Sequence, residues 1–266
     1  MPQALSLITL LTDFGDRDYF VASMKGVILT INPAARIIDL SHQIAPHAIR
    51  EAAYFLKSCY HYFPEGAIHV AVVDPGVGTA RRPLLVSTAR HFFIAPDNGV
   101  LSGMLELETH AEIRRIENVE YRLASAGSTF DGRDVFAPAA AWLSKGVPAP
   151  SFGRPIQDPV RFPKSVPEWR NGELVGRIEY VDRFGNLISN VTAKHLDEVR
   201  TVSKRSTVRI RIGEHTIEGL VANYEESATD TPCALINSDA CLEIALKRAS
   251  ASERLGIGQG DTLAVF

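Results

Sequence analysis

Six prolines, at positions 148, 150, 155, 159, 163 and 167, divide this chain. Proline lacks the amide proton that a helix interior or a central strand needs, and its ring fixes φ. Neither kind of element survives that density, so residues 148–169 are expected to form an ordered, extended linker. Each flank must then bury a core of its own. The composition permits it: 45% of the 266 residues are apolar and 22% are charged, close to ordinary globular proportions, and the length suits two domains.

The first flank, residues 1–147, alternates between strand and helix patterns. Residues 5–12 (LSLITLLT) form a mostly apolar run, as a strand buried on both faces does, and end at Asp13-Phe14-Gly15. Phe20, Met24, Val27, Ile28 and Ile31 then recur at helical spacing until Asn32-Pro33 stops them. RIIDL (36–40) gives a second strand and residues 49–60 a second helix, with Ala52, Phe55, Leu56 and Cys59 on one face. AIHVAVV (67–73) is a third strand, ending at Asp74-Pro75-Gly76. LLVST (84–88) and HFFIA (91–95) pair as a tight hairpin across Ala89-Arg90. A short helix follows Asn98-Gly99 through Leu105, and another covers 134–145 with Pro138 in its first turn. This order predicts an α/β domain, a mostly parallel sheet with helices on both faces. Ligands of such sheets lie outside the carboxyl ends of the strands, where Asp13 and Asp74 fall.

After the linker the pattern changes. GELVGRIEYVD, STVRIRIG, HTIEGLVA, CALINS, CLEIAL and TLAVF are short and mostly alternating, with Gly213-Glu214 as a hairpin turn. They predict an all-β, barrel-like domain over 170–266.

Several function classes recede. The net charge is −3 and no long basic run exists, whereas nucleic-acid binding calls for a basic stripe. No apolar run approaches the roughly 20 residues of a membrane-spanning helix, and no leader pattern opens the chain. Cys59, Cys233 and Cys241 are odd in number and lack a CxxC, which argues against a disulfide framework or zinc ribbon and for free thiols in the cytoplasm.

The candidate residues each admit a plainer role. Asp13-Phe14-Gly15 resembles the kinase metal tripeptide, but no Gly-rich loop, strand lysine or HRD accompanies it. Asp13 can instead accept hydrogen bonds from a ribose diol, or simply cap the next helix. Asp74-Pro75-Gly76-Val77-Gly78-Thr79 is a glycine-containing turn without the GK[ST] of a phosphate loop; Arg81 reaches Asp74 if that loop folds back, and the pair is otherwise a surface ion pair. Asp131 or Asp134 can cap the helix at Gly132-Arg133-Asp134, Asp134 above all. The eight histidines, at 42, 47, 61, 69, 91, 110, 195 and 215, show no metal-ligand spacing; His69 and His91 are expected to be packing residues. Asp182-Arg183-Phe184-Gly185-Asn186 is a turn that also offers a carboxylate, an aromatic face and an amide. Asn237-Ser238 is similarly open. A metal-dependent hydrolase using Asp13, Asp74 and Asp97 is a further alternative.

Taken in order, LTDFG, DPGVGT with its downstream arginine, APDNGVL, STFxGRDVFAP, DRFGN and INS…LEIA resemble the S-adenosylmethionine (SAM) hydroxide adenosyltransferases. These are adenosine-forming SAM hydrolases related to the fluorinase and chlorinase, and the resemblance spans essentially the whole chain. It implies an α/β domain followed by a β-barrel, assembled as a homotrimer with sites between subunits. It implies SAM as substrate, adenosine and L-methionine as products, and neither cofactor nor metal. Asp13 would hold the ribose hydroxyls, Phe184 and Tyr224 would flank the adenine, Asn186 would bond it, and Asp182 and Asp74 would also bind the substrate. Ser238 and Glu243 would grip the methionine end, and Leu246 would line the pocket. Asp74 and Arg81 match two members of an Asp–Arg–His triad that activates a water for in-line attack on ribose C5′.

Two positions depart from the family. Its triad histidine is here Asp131, which can serve as base itself or share Arg81 with Asp74; a SAM- or adenosine-binding protein with weakened catalysis is the alternative. Asp239-Ala240-Cys241 stands where relatives carry an aromatic or basic residue and a glycine. The DPGVG loop sides with the hydrolases against the halogenases.

Overall fold

The computed structural model describes residues 6–124 and 127–266, so Leu5, the first residue of the LSLITLLT run expected as a strand, lies outside the described residues. The chain forms two compact units, Met1–Phe162 and Pro163–Phe266.

The first unit is built on β1 (Leu7–Thr12), α1 (Phe20–Ile31), β2 (Arg36–Ser41), α2 (Ile49–Cys59), β3 (Ile68–Val72), β4 (Pro83–Ser87), β5 (Phe92–Pro96), α3 (Ser102–Leu107), β6 (Glu112–Arg115) and α4 (Ala137–Ser144). Its six-stranded sheet runs β2-β1-β3-β5-β4-β6. β1 is parallel to β2 and β3, and β3 to β5; β4 is antiparallel to both β5 and β6 and so is the one reversed strand. The reversal comes from the expected tight hairpin, in which Thr88 N donates to His91 O at 2.9 Å.

Side chains of successive strand residues point to opposite faces, and here both faces are covered. Ile68, Val70, Val72, Leu85 and Ile94 pack with Met24 and Ile28 of α1 and the alanines of α4. Ala71, Val73, Leu84, Val86, Phe93 and Ala95 pack with Ala52 and Leu56 of α2 and Met104 and Leu105 of α3. The mostly parallel sheet with helices on both faces is the expected one. His69 and His91 are fully buried, as expected of packing residues. His69 stacks on Phe93 at 5.1 Å and meets Thr9 Oγ1 through Nδ1 at 2.8 Å. Burial, and then the neighbouring His91, pull its pKa down to about 3.

The proline-rich segment is bound to this unit up to Phe162. Phe152 is fully buried, Ile156 N donates to Ile113 O at 2.9 Å and Phe162 N donates to Ser102 Oγ at 2.8 Å. It touches the sheet through one isolated antiparallel bridge, Arg114 to Pro155, and Val160 N donates to Asp97 Oδ1 at 2.7 Å.

The second unit holds β7 (Glu168–Arg170), β8 (Glu173–Val181), β9 (Leu187–Thr192), α5 (Ala193–Ser203), β10 (Arg209–Ile212), β11 (His215–Glu218), β12 (Cys233–Ile236), β13 (Cys241–Ala245), α6 (Ala251–Leu255) and β14 (Thr262–Val265). All pairings are antiparallel, in the order β11-β10-β14-β8-β9-β13-β12, with β7 also on β8. The long strand β8 gives its first half to β14 and its second to β9, which curls the sheet into a barrel-like form around Leu174, Ile178, Val191, Ile210, Ile244 and Val265. Gly213-Glu214 joins β10 to β11. Asn171 and Gly172, both at positive φ, join β7 to β8, the two-residue turn that such a dipeptide favours.

Candidate active site

β1 and β3 lie side by side with Thr12 opposite Val72. Asp13 and Asp74, one and two residues further on, therefore emerge at the same carboxyl edge. Asp13 is held by the loop after β2: its Oδ2 accepts His47 N at 2.8 Å, and Gly15 N donates to His42 O at 2.7 Å. His47 adopts φ 67° to present that amide, a conformation that a non-glycine residue takes at a cost. Beneath the loop, Thr12 Oγ1 meets His42 Nδ1 at 2.9 Å and accepts Phe14 N at 3.2 Å. No sequence spacing announces His47, because its contribution comes from the backbone.

The DPGVGT loop does fold back. Val77 N donates to Asp74 O and Thr79 N to Gly76 O, both at 3.2 Å, and Thr79 Oγ1 closes on Gly76 O at 2.6 Å. These turns bring Arg81 Nε to Asp74 Oδ2 at 2.8 Å and its Nη2 to the same oxygen at 2.5 Å. That Nη2 also reaches Asp131 Oδ2 at 2.5 Å. The guanidinium lies over Phe136, 5.3 Å from the ring centroid. The side chains of Asp74, Arg81 and Asp131 are 5%, 10% and 21% exposed, so this is no surface ion pair. Burial alone pulls the Arg81 pKa down; the bonds from Asp74 and Asp131 more than offset it, and the net shift is upward. The three residues named as a catalytic group thus meet, with Asp131 sharing Arg81 with Asp74.

Asp131 immediately precedes a π-helical turn, Gly132–Phe136, that leads into α4; such turns recur at functional sites. Neither Asp131 nor Asp134 takes the alternative role of a helix cap: the former, at the cap position, makes no side-chain cap bond, and the latter lies inside the turn. Arg133 takes both oxygens of Asp134 instead, at 2.6 and 2.9 Å. Asp97 is likewise engaged: Arg82 Nε donates to its Oδ2 at 2.6 Å and Val160 N to its Oδ1 at 2.7 Å. It fastens the proline-rich segment, and both of its oxygens are taken.

In the second unit the DRFGN turn forms one wall of a cavity of about 690 Å³, lined by Asp182, Phe184, Asn186, Tyr224, Leu246 and Ser250, among others. Asp182 organises the turn: Oδ1 accepts Phe184 N and Asn186 N, both at 2.8 Å, and Oδ2 accepts Asn186 Nδ2 at 2.9 Å. Phe184 stands 74% exposed beside the buried Asn186. Gly185, at φ 80°, leaves no room for a side chain, since a Cβ would lie 2.1 Å from Ser250 Oγ. Tyr224, between β11 and β12, donates its hydroxyl to Glu243 Oε1 at 2.8 Å, while Asn237 Nδ2 reaches Glu243 Oε2 at 3.2 Å. Burial first, and then Glu243, push the Tyr224 pKa up to about 12. Glu243 is buried on β13. Ser238 is exposed on the turn from β12 to β13, where Ala240 holds φ 59°.

Comparison with known proteins fits this arrangement. An (R)-S-adenosyl-L-methionine hydrolase from Thermus thermophilus is 36% identical, covering 94% of this chain and 95% of that protein. One from Methanocaldococcus jannaschii is 34% identical, covering 98% and 96%. The crystal structure of an uncharacterized conserved protein from Thermotoga maritima superposes with a TM-score of 0.88 at 34% identity, covering 97% of this chain and 99% of that one. The family model for the SAM hydroxide adenosyltransferase N-terminal domain matches residues 8–153, and that for the C-terminal domain matches 176–264. With both of its units matched, the chain belongs to the SAM hydroxide adenosyltransferase family.

Proposed function

We propose that this protein hydrolyses S-adenosyl-L-methionine to adenosine and L-methionine. The observation that carries the reading is Arg81 bridging Asp74 and Asp131 at the sheet edge that also presents Asp13. Asp13 binds the ribose hydroxyls. The cavity of the second unit takes the adenine between Phe184 and Tyr224, with Asn186 as its hydrogen-bond partner and Leu246 as apolar lining. Ser238 and Glu243 bind the methionine end.

Water is held at the acidic pair and attacks C5′ opposite the sulfur. The new C5′–O bond forms as the C5′–S bond breaks, and its electron pair stays on sulfur as the thioether of methionine. The water's proton passes to the Asp131 carboxylate. A sulfonium is already a good leaving group, so the step asks for alignment rather than for a Lewis acid; fixing reactants in line removes several kcal/mol of barrier. SAM is the substrate, and no cofactor takes part. The names of the relatives support this chemistry.

We assign the working form to a homotrimer in which one copy's first unit and a neighbour's second unit supply the two halves of each site, as the family resemblance implies. We place it in the cytoplasm, where the three unbridged thiols of Cys59, Cys233 and Cys241 stay reduced. Among the described residues no helix is long and apolar enough to cross a membrane.

The test is incubation with SAM in ¹⁸O-labelled water. Equimolar adenosine and methionine, with label in the adenosine 5′-hydroxyl, support the reading; intact SAM after prolonged incubation with folded protein refutes it. A slow binding protein is the second reading, favoured by the aspartate at 131. Tight SAM binding with turnover that rises sharply on Asp131→His identifies it.

A further inference from the structure

Asp13 and Asp131 are far apart in sequence, yet each adjoins a phenylalanine, Phe14 after the first and Phe130 before the second. Those two rings touch, with centroids 5.9 Å apart at 73°. Both also rest on Phe20, the first residue of α1, at 5.7 Å and 5.2 Å. Edge-to-face and tilted contacts at such distances are attractive and directional. Gly132, next after Asp131, closes the cluster: a Cβ there would stand 3.1 Å from Phe130, 3.2 Å from Met24 Sδ and 3.3 Å from Phe14. Arg133 covers Phe130 at 5.1 Å from its centroid. Phe20 is half-buried and belongs to no group that bonds a ligand in the reading above.

We infer that Phe20 is a positioning residue: by supporting Phe14 and Phe130 together, it sets Asp131 relative to the ribose carboxylate Asp13. The inference rests on the proposed hydrolysis. The two sides do not depend on Phe20 equally. The Asp13 loop is also clasped by His47 N and by the bond from Gly15 N to His42 O. The segment entering Asp131 has Phe130 as its anchor in the core, with Asp131 itself tied through Arg81. Loss of the Phe20 ring therefore leaves substrate binding nearly intact and lets the base drift. In-line displacement punishes such drift: a displacement of about 1 Å costs on the order of 10²-fold in rate.

Steady-state hydrolysis of SAM by the full chain tests this with Phe20→Leu, Phe20→Tyr, Asp131→Asn and the double variant Phe20→Leu/Asp131→Asn. Phe20→Leu is expected to lower kcat about 10- to 100-fold with KM changed less than about threefold. Phe20→Tyr, which keeps the ring, recovers kcat to within about threefold. In the Asp131→Asn background, Phe20→Leu costs less than about twofold more, because the group it positions is already gone. An unchanged kcat in Phe20→Leu, a loss that multiplies with that of Asp131→Asn, or a matching loss in Phe20→Tyr overturns the inference. If Phe20→Leu does not fold, Phe130→Leu removes the other side of the same contact and carries the same expectations. If the unaltered protein forms no adenosine, the functional reading has failed and this inference falls with it. That outcome is distinct from active protein indifferent to Phe20.

Discussion

Asp131 accepts Arg81 Nη2 at 2.5 Å, on the same nitrogen that serves Asp74. Asp131 is thereby held by the same guanidinium that holds Asp74. Asp131→Asn keeps the shape and removes the base. It should lower kcat by about 10²–10⁴ while KM moves little. Asp131→His should stay active, because an imidazole can take the water's proton in the carboxylate's place. Adenosine release followed from pH 4 to 9 checks both.

Arg81→Ala leaves two carboxylates facing each other, one of them 5% exposed. Breaking a buried pair from one side costs about 3–5 kcal/mol, to be seen as a lower midpoint in denaturant. Arg81→Lys should recover only part of this, since an ammonium cannot present the fork that spans both acids. Equal stability of Arg81→Ala and the unaltered protein would contradict the bridging role.

Gly185→Ala is expected to abolish nucleoside binding while leaving the first unit folded. The residue sits at φ 80° with Ser250 Oγ 2.1 Å from where a Cβ would go. The left-handed backbone alone costs about 1–2 kcal/mol with a side chain, and the clash must move Ser250, which caps α6 through Glu253 N at 3.1 Å. Adenosine titration by calorimetry, with a thermal melt as control, measures it.

His69 should make the protein acid-sensitive. Its pKa is lowered in the folded state to about 3 from an ordinary value of 6.5. Stability is therefore fully present above about 6.5 and is lost as pH falls toward 3, because the unfolded chain takes up the proton first. The slope approaches about 1.4 kcal/mol per pH unit for one group. Paired replacement His69→Phe with Thr9→Val, which removes both ends of the buried hydrogen bond, should flatten the dependence of the melting temperature between pH 6 and 4. A slope as steep as before would place the acid sensitivity elsewhere.

Much of the scaffold was legible because hydrophobic periodicity reports burial directly. Ile68, Val70 and Val72 alternate with Ala71 and Val73 between two covered faces, and the glycines after Asp74 announced a loop able to return Arg81. The Asn171-Gly172 turn carries an equally clear signal, a dipeptide suited to a two-residue hairpin. The remainder depended on long-range partners. Asp134 pairs with Arg133 rather than a helix terminus, and Asp97 takes Arg82 and Val160 N; composition and spacing cannot choose among such partners. The amide of His47 on Asp13 and the Phe14–Phe20–Phe130 contact arise only once the sheet edge has assembled.

Two carboxylates sharing one guanidinium carry one formal negative charge in excess, in a place with little water to screen it. A cationic molecule arriving there gains from that field. Once its charge is discharged, as when a sulfonium becomes a thioether, the attraction vanishes, so the local charge imbalance that favours arrival also favours departure.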